Sequence, residues 1–159
     1  MNEKLFDAIR NADINALNQL IAEGVDVNEK GKYGRTALMW AAYWGEAEVV
    51  KVLIENDADA NLKDILGYTA LREVVCLGQA EVVKLLLAKG VKVNLKNDSG
   101  WTALMEAVYR SHIEIVKLLL ENGAKVTLRD KRGCTALMIA VCFGHVEVIE
   151  LLKQHGATE

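Results

Sequence analysis

Cys142 and His145 stand three residues apart, a spacing that on a helix brings a thiolate and an imidazole to one side. Such a pair is where a zinc site would begin, but zinc asks for three or four converging ligands. Gly144 lies between the two and breaks the helix, and no third ligand is at hand. Cys134 falls near the far end of the same short helix from Cys142, out of disulfide reach. Cys76 precedes Cys142 by 66 residues, two layers of the organisation described below; at roughly 8–10 Å per packed helix layer, the two thiols stand about 20 Å apart, beyond a disulfide. Three reduced thiols and no metal site are expected, in keeping with a reducing compartment. His112 shares the position of His145, at the start of a second helix, and carries no chemistry of its own.

Lys30, Lys63, Lys96 and Arg129 form a second constellation, one cation every 33 residues. Cations interleaved with Trp and Tyr would suit a nucleotide or an oligonucleotide. Asp64, Asn97 and Asp130 follow three of them directly and offset the charge, so a solvated edge is the expected role and nucleic acid is disfavoured. The chain has no Gly-rich phosphate loop, no Gly-x-Ser-x-Gly elbow and no His-Glu-x-x-His pair. No catalytic residue and no cofactor are expected.

The elements that must position these residues are legible from the composition outward. The 159 residues fit one ordinary domain. Proline is absent, which removes the strongest helix breaker. A net charge of −3 is too small to call for nucleic acid or a membrane surface. The N-terminal stretch is interrupted by charge every few residues, and no run approaches the roughly 18 apolar residues of a spanning helix; a cytoplasmic location without membrane contact is expected.

Glycine recurs at Gly34, Gly67, Gly100 and Gly133, and two residues after each comes Thr-Ala-Leu, at 36–38, 69–71, 102–104 and 135–137. Paired β-branched residues follow in register, Val49-Val50, Val82-Val83, Ile115-Val116 and Val148-Ile149. Each threonine stands where a helix N-cap belongs, and Gly45, Gly78 and Gly144 fall where a C-terminal glycine ends a helix. A second helix then carries apolar residues at helical spacing. A short extended stretch such as 91–100 reads as a hairpin leading to the next glycine. The expected fold is all-α with short β-hairpin loops, a solenoid of stacked helix pairs.

GRTALMWAA, GQAEVVKLLL and GVKVN resemble, in order and in register, the three signatures of the ankyrin repeat, and the resemblance covers nearly the whole chain. It implies a single domain over 1–159: an N-terminal capping repeat at 1–30, full repeats at 31–63, 64–96 and 97–129, and a final capping repeat at 130–159. The family's proline is alanine in all four entry motifs, and its histidine is Met39, Arg72, Met105 or Met138, so the hydrogen bonds of that histidine are lost. Ser111 and Asp57 replace helix-ending glycines, and Lys153 takes the place of Ile54, Leu87 and Leu120, as suits an exposed last helix. The architecture implies that loop tips and first helices line one concave side.

The repeats serve as an internal alignment. Positions that keep one apolar type, such as Leu38, Leu71, Leu104 and Leu137, are expected in the core. Positions that change chemistry are expected at the surface: Trp40 aligns with Glu73, Glu106 and Ile139, and Trp44 with Leu77, Arg110 and Phe143. Two glutamates argue against burial, because an unpaired buried carboxylate is costly. Tyr43, aligned with Cys76, Tyr109 and Cys142, leans outward. The loop positions vary in the same way, and on this reading Tyr33, Arg35, Trp40, Tyr43, Trp44, Ile65, Leu66, Tyr68, Trp101, Tyr109, Arg110 and Phe143 form a partner-binding face. Only Phe6 falls clearly elsewhere, in the core of the first unit.

A non-enzymatic module that binds a protein or peptide through an aromatic-rich concave face, and is a monomer by itself, is the leading expectation. The alternatives are an engineered binder on the same frame, a self-associating scaffold, and a nucleotide- or oligonucleotide-binding protein. Framework drift at Asp57, Val74, Ser111 and Thr127 favours a natural chain over a selected one.

Overall fold

The computed structural model describes residues 2–158, so Met1 and Glu159, the outer bounds of the first and last units, lie outside it. Five helix pairs follow one another: α1 (Glu3–Arg10) and α2 (Ile14–Ala22), α3 (Ala37–Trp44) and α4 (Ala47–Glu55), α5 (Ala70–Cys76) and α6 (Ala80–Ala88), α7 (Ala103–Tyr109) and α8 (Ile113–Glu121), α9 (Ala136–Phe143) and α10 (Val146–Gln154). Odd helices pack on odd and even on even, so the chain makes two helical layers with each pair contacting only its neighbours.

The threonines start the odd helices as their position predicts. Thr36, Thr69, Thr102 and Thr135 each accept a hydrogen bond at Oγ1 from the backbone N–H three residues on, at 3.2–3.4 Å. Gly45 and Gly144 end α3 and α9 in the left-handed region. Asp57 and Ser111, where the repeat pattern has glycine, hold the same backbone at φ +64° and +56°. The invariant leucines of odd and even helices, Leu38, Leu71, Leu104, Leu137 and Leu53, Leu86, Leu119, Leu152, are all buried.

The connecting loops are turns rather than paired strands: no strand forms among the described residues. Each loop closes with two backbone bonds: Asp64 N–H to Tyr68 O and Gly67 N–H to Asp64 O in one, with the same pair at Asn97, Trp101 and Gly100 and at Asp130, Cys134 and Gly133. A single backbone–backbone bond joins each loop to the next, as from Ile65 N–H to Tyr33 O at 3.1 Å, which is too few for a strand ladder. The side-chain oxygens of Asp64, Asn97 and Asp130 each accept two backbone N–H groups and so shape the turn. Gly31 occupies that position in the first loop and has no such acceptor. There the chain makes a single 3-10 turn over Lys32–Gly34, with Tyr33 at φ +60°.

The cation row is not a merely solvated edge. Lys30, Lys63 and Lys96 each donate from Nζ to the carbonyl of the cation one repeat on, at 2.8 Å, and Arg129 donates to Gly133 O. At the last repeat Lys153 is exposed, in line with a solvated end, but the stacking face there is only partly covered. Val141 is 58% exposed, whereas Ala42 in the same position is buried and Val75 and Val108 are 0% exposed.

Candidate partner-binding face

At the C-terminal end of each odd helix from α3 onward a large apolar side chain turns to solvent: Tyr43 (45% exposed), Leu77 just past α5 (45%), Tyr109 (42%) and Phe143 (53%), with Met138 and Val141 also exposed on α9. Tyr33, Ile65 and Leu66 stand exposed at the loop tips of the same layer. Leu77 was not singled out by its own sequence; its alignment with Trp44 and Phe143 is the signal that finds it.

Trp40 and Trp44 do not belong to that row. Both are half-buried and pack on the core. Phe6, itself half-buried, reaches up from α1 and meets each indole edge-on with centroids 5.5 Å apart, while the two indoles stack on one another at 5.5 Å. The expectation that Trp40 and Trp44 look outward is therefore corrected, and so is the placement of Phe6 apart from them. The three rings pack at the joint between α1 and α3, beside the buried Leu5, Ala8 and Ile9 of α1. Tyr43, on the rim of this cluster at 6.1 Å from Trp40, is the exposed member.

The two glutamates that argued for exposure are in fact buried. Glu73 is 8% and Glu106 3% exposed, and each is paired. Arg35 reaches from the preceding loop to Glu73 and lies 3.9 Å from Asp64. Arg72 donates from Nη2 to Glu106 Oε2 at 2.8 Å, and Arg110 from Nε to Glu106 Oε1 at 2.7 Å. A carboxylate is tolerated there because its counter-charge comes from another repeat or the next turn. Arg35 and Arg110, expected as free polar contacts for a partner, are thus committed within the chain, although the Arg110 side chain remains 40% exposed. Its hydrogen bond to Glu106 holds the guanidinium above its ordinary pKa. Burial, with the Glu106 charge adding to it, pushes the Cys76 thiol up, away from the thiolate.

The remaining aromatics also have internal roles. Tyr68 is half-buried, with the Arg72 guanidinium 3.6 Å from its ring centroid. The Arg35 guanidinium lies 4.6 Å from the Trp40 ring and 5.5 Å from that of Tyr43. Trp101 is half-buried and donates from Nε1 to Asp130 Oδ2 at 3.0 Å. Burial alone would raise the Asp130 carboxyl, but the backbone N–H groups of Cys134 and Arg132 and the Trp101 indole outweigh it and hold the carboxyl below its ordinary range. From Trp101 a line of edge-on rings runs to Tyr109 (5.6 Å) and on to Phe143 (5.0 Å), where His145 stacks at 6.0 Å. Trp101, Cys134, Ile139, Cys142 and Phe143 line a cleft of about 520 Å³ in the last two repeats. Phe6, Tyr33 and Trp40 line another of about 570 Å³ at the opposite end.

All three cysteines are free thiols. Among the described residues no group of three or more His, Cys, Asp or Glu side chains converges as metal ligands, and no helix is long and apolar enough to cross a membrane.

Two helical layers, threonine-capped odd helices and loops in register every 33 residues define a repeat protein, and the sequence places it: the chain belongs to the ankyrin-repeat family, whose model, described as ankyrin repeats (3 copies), matches residues 5–97 and 74–158. Over 54 residues, 34% of this chain, it is 35% identical to the ankyrin repeat domain-containing protein SAT10 of Stachybotrys chartarum (strain CBS 109288 / IBT 7711). The match spans only 3% of that relative's length. Ankyrin repeats are in general protein–protein interaction modules rather than enzymes.

Proposed function

We propose that this chain binds a protein or peptide partner across the face formed by its odd helices and loop tips, the concave side in this architecture. The observation that carries the reading is the row Tyr43, Leu77, Tyr109 and Phe143, exposed apolar side chains at the C-terminal ends of four successive odd helices. An exposed apolar row of this kind marks an interaction surface. Tyrosine and phenylalanine lose little conformational freedom on docking, and the rings of Tyr109 and Phe143 already hold one another edge-on. Tyr33, Ile65 and Leu66 extend the surface to the tips. Trp40, Trp44, Tyr68, Trp101 and Arg35 support it from beneath. A reducing compartment such as the cytosol fits the three unpaired cysteines.

Affinity selection from a lysate, with the wild-type chain and a Tyr109→Ala/Phe143→Ala variant as parallel baits, tests the reading. Proteins held by the first and lost by the second are expected. Equal recovery on both baits would overturn the assignment of this face.

A further inference from the structure

The ionisable residues are sorted by face. Each unit runs from its ladder cation to the end of its odd helix over 30–44, 63–77, 96–110 and 129–143. These four segments hold ten Lys and Arg against five Asp and Glu, a net +5. The other residues hold nine against seventeen, a net −8, which together give the −3 of the whole chain. A near-neutral total thus hides a basic loop-and-odd-helix layer and an acidic remainder.

Four of the five acids in the basic layer are also committed within it. Glu73 and Glu106 are buried against arginines, and Asp64 and Asp130 are held by backbone N–H groups. Lys131 and Arg132, by contrast, stand exposed on the last loop and make no ion pair among the described residues. They flank the cleft whose apolar wall is Trp101, Ile139 and Phe143, and which Asp130 and the fifth acid, the exposed Asp98, also line.

We infer that the partner segment is acidic, with at least one apolar side chain that enters the cleft beneath Lys131 and Arg132 while its carboxylates meet those two cations. This inference rests on the proposed partner-binding face and names the chemistry of what binds there. Charge complementarity of this kind steers encounter and excludes basic competitors. An acidic peptide is favoured over a nucleic acid because two of the three indoles are taken up in packing: Trp40 and Trp44 stack on one another and meet Phe6 edge-on. The ladder lysines, too, already point at backbone carbonyls.

Panning a random twelve-residue peptide library on the immobilised full chain tests this, with a fluorescein-labelled thymidine 20-mer titrated in parallel. Recovered peptides should carry net negative charge and an aromatic or large aliphatic residue. Their affinity should fall with added salt, and by about tenfold in Lys131→Glu/Arg132→Glu, a variant whose circular dichroism should match wild type because both side chains are exposed. Neutral or basic peptides that bind independently of salt, or tighter binding of the 20-mer than of any peptide, would overturn the acidic partner while leaving a binding face in place. Peptides that bind the Tyr109→Ala/Phe143→Ala variant as well as wild type, or no enrichment at all, would instead remove the face itself and this inference with it.

Discussion

Arg72 and Glu106, 34 residues apart in the chain, meet across a repeat boundary with Nη2 and Oε2 2.8 Å apart. Arg72 stands where the other three entry motifs have methionine, and Glu106 shares its position with Glu73 where the outer repeats have Trp40 and Ile139, so the ion pair stands where those outer units put apolar side chains. The buried Nε of Arg72 has no hydrogen-bond partner among the described residues, which makes the pair an imperfect exchange for packing.

Removing one partner should therefore cost more than removing both. Glu106→Ala leaves the Arg72 guanidinium partly buried without its counter-charge and should lower the unfolding free energy by about 3 kcal/mol. Arg72→Met/Glu106→Ile restores the residues used in other repeats and should recover most of that loss. Urea denaturation of the single and double variants decides; a double variant no more stable than Glu106→Ala would refute the reading.

Trp44 and Tyr43 are neighbours with opposite expected roles. Trp44 is packed against Phe6 and Trp40, so Trp44→Ala should destabilise the chain by about 2–3 kcal/mol, less than a fully buried ring. Tyr43→Ala should change stability by about 0.5 kcal/mol or less while weakening capture of whatever partner the lysate selection recovers. Thermal melts and that binding measurement separate the two; a Trp44→Ala protein as stable as wild type would show the indole to be surface after all.

This pair also marks how far the sequence was readable. Helix pairs, caps and core leucines were legible because the same residues return at one spacing, and four copies of Thr-Ala-Leu admit one register. The site was legible only in part. Changing chemistry at the positions of Trp40 and Trp44 points to exposure, but chemistry can change inside a core when the counter-group changes with it. Glu73 takes its charge partner from Arg35, 38 residues back, and Trp40 its cover from Phe6 in the weakest repeat. Neither partnership is visible in a single aligned position. The exposed residues Tyr43, Tyr109 and Phe143 were found because no such partner lies above them.

Asp57 and Ser111 hold left-handed backbone at which a side chain is strained. Asp57→Gly and Ser111→Gly should each stabilise by about 1 kcal/mol, seen as a raised melting temperature. Gly67→Ala runs the other way: a methyl there would lie 2.9 Å from the Asp98 backbone nitrogen at φ +76°, and stability should fall. A lower melting temperature for both glycine variants would refute the account of these helix ends.

Asp130 links the last loop to Trp101, and its carboxyl is held below its ordinary pKa. With the folded value the lower one, the unfolded state binds the proton more readily. The stabilisation from ionised Asp130 is thus complete above the ordinary carboxylate range and is lost as pH falls through the folded pKa. Asp130→Asn keeps the acceptor oxygen, as Asn97 does one repeat earlier, but not the charge. Melting temperatures followed from pH 7 down to pH 2 should fall less steeply for this variant than for wild type in the acid limb. Parallel curves would mean that other carboxylates carry the whole acid sensitivity.

The three lysine bonds, Lys30 to Lys63, Lys63 to Lys96 and Lys96 to Arg129, run in one direction and connect in series. On the even-helix side neighbouring units meet through aliphatic contacts and the exposed ion pairs Lys84–Glu114 and Lys117–Glu147; on the loop side each unit is tethered by a bond to a backbone carbonyl. Flattening or tightening the curve of the solenoid must therefore stretch or slacken these tethers. A partner that bridges two loops would add its own stiffness in parallel with the lysines.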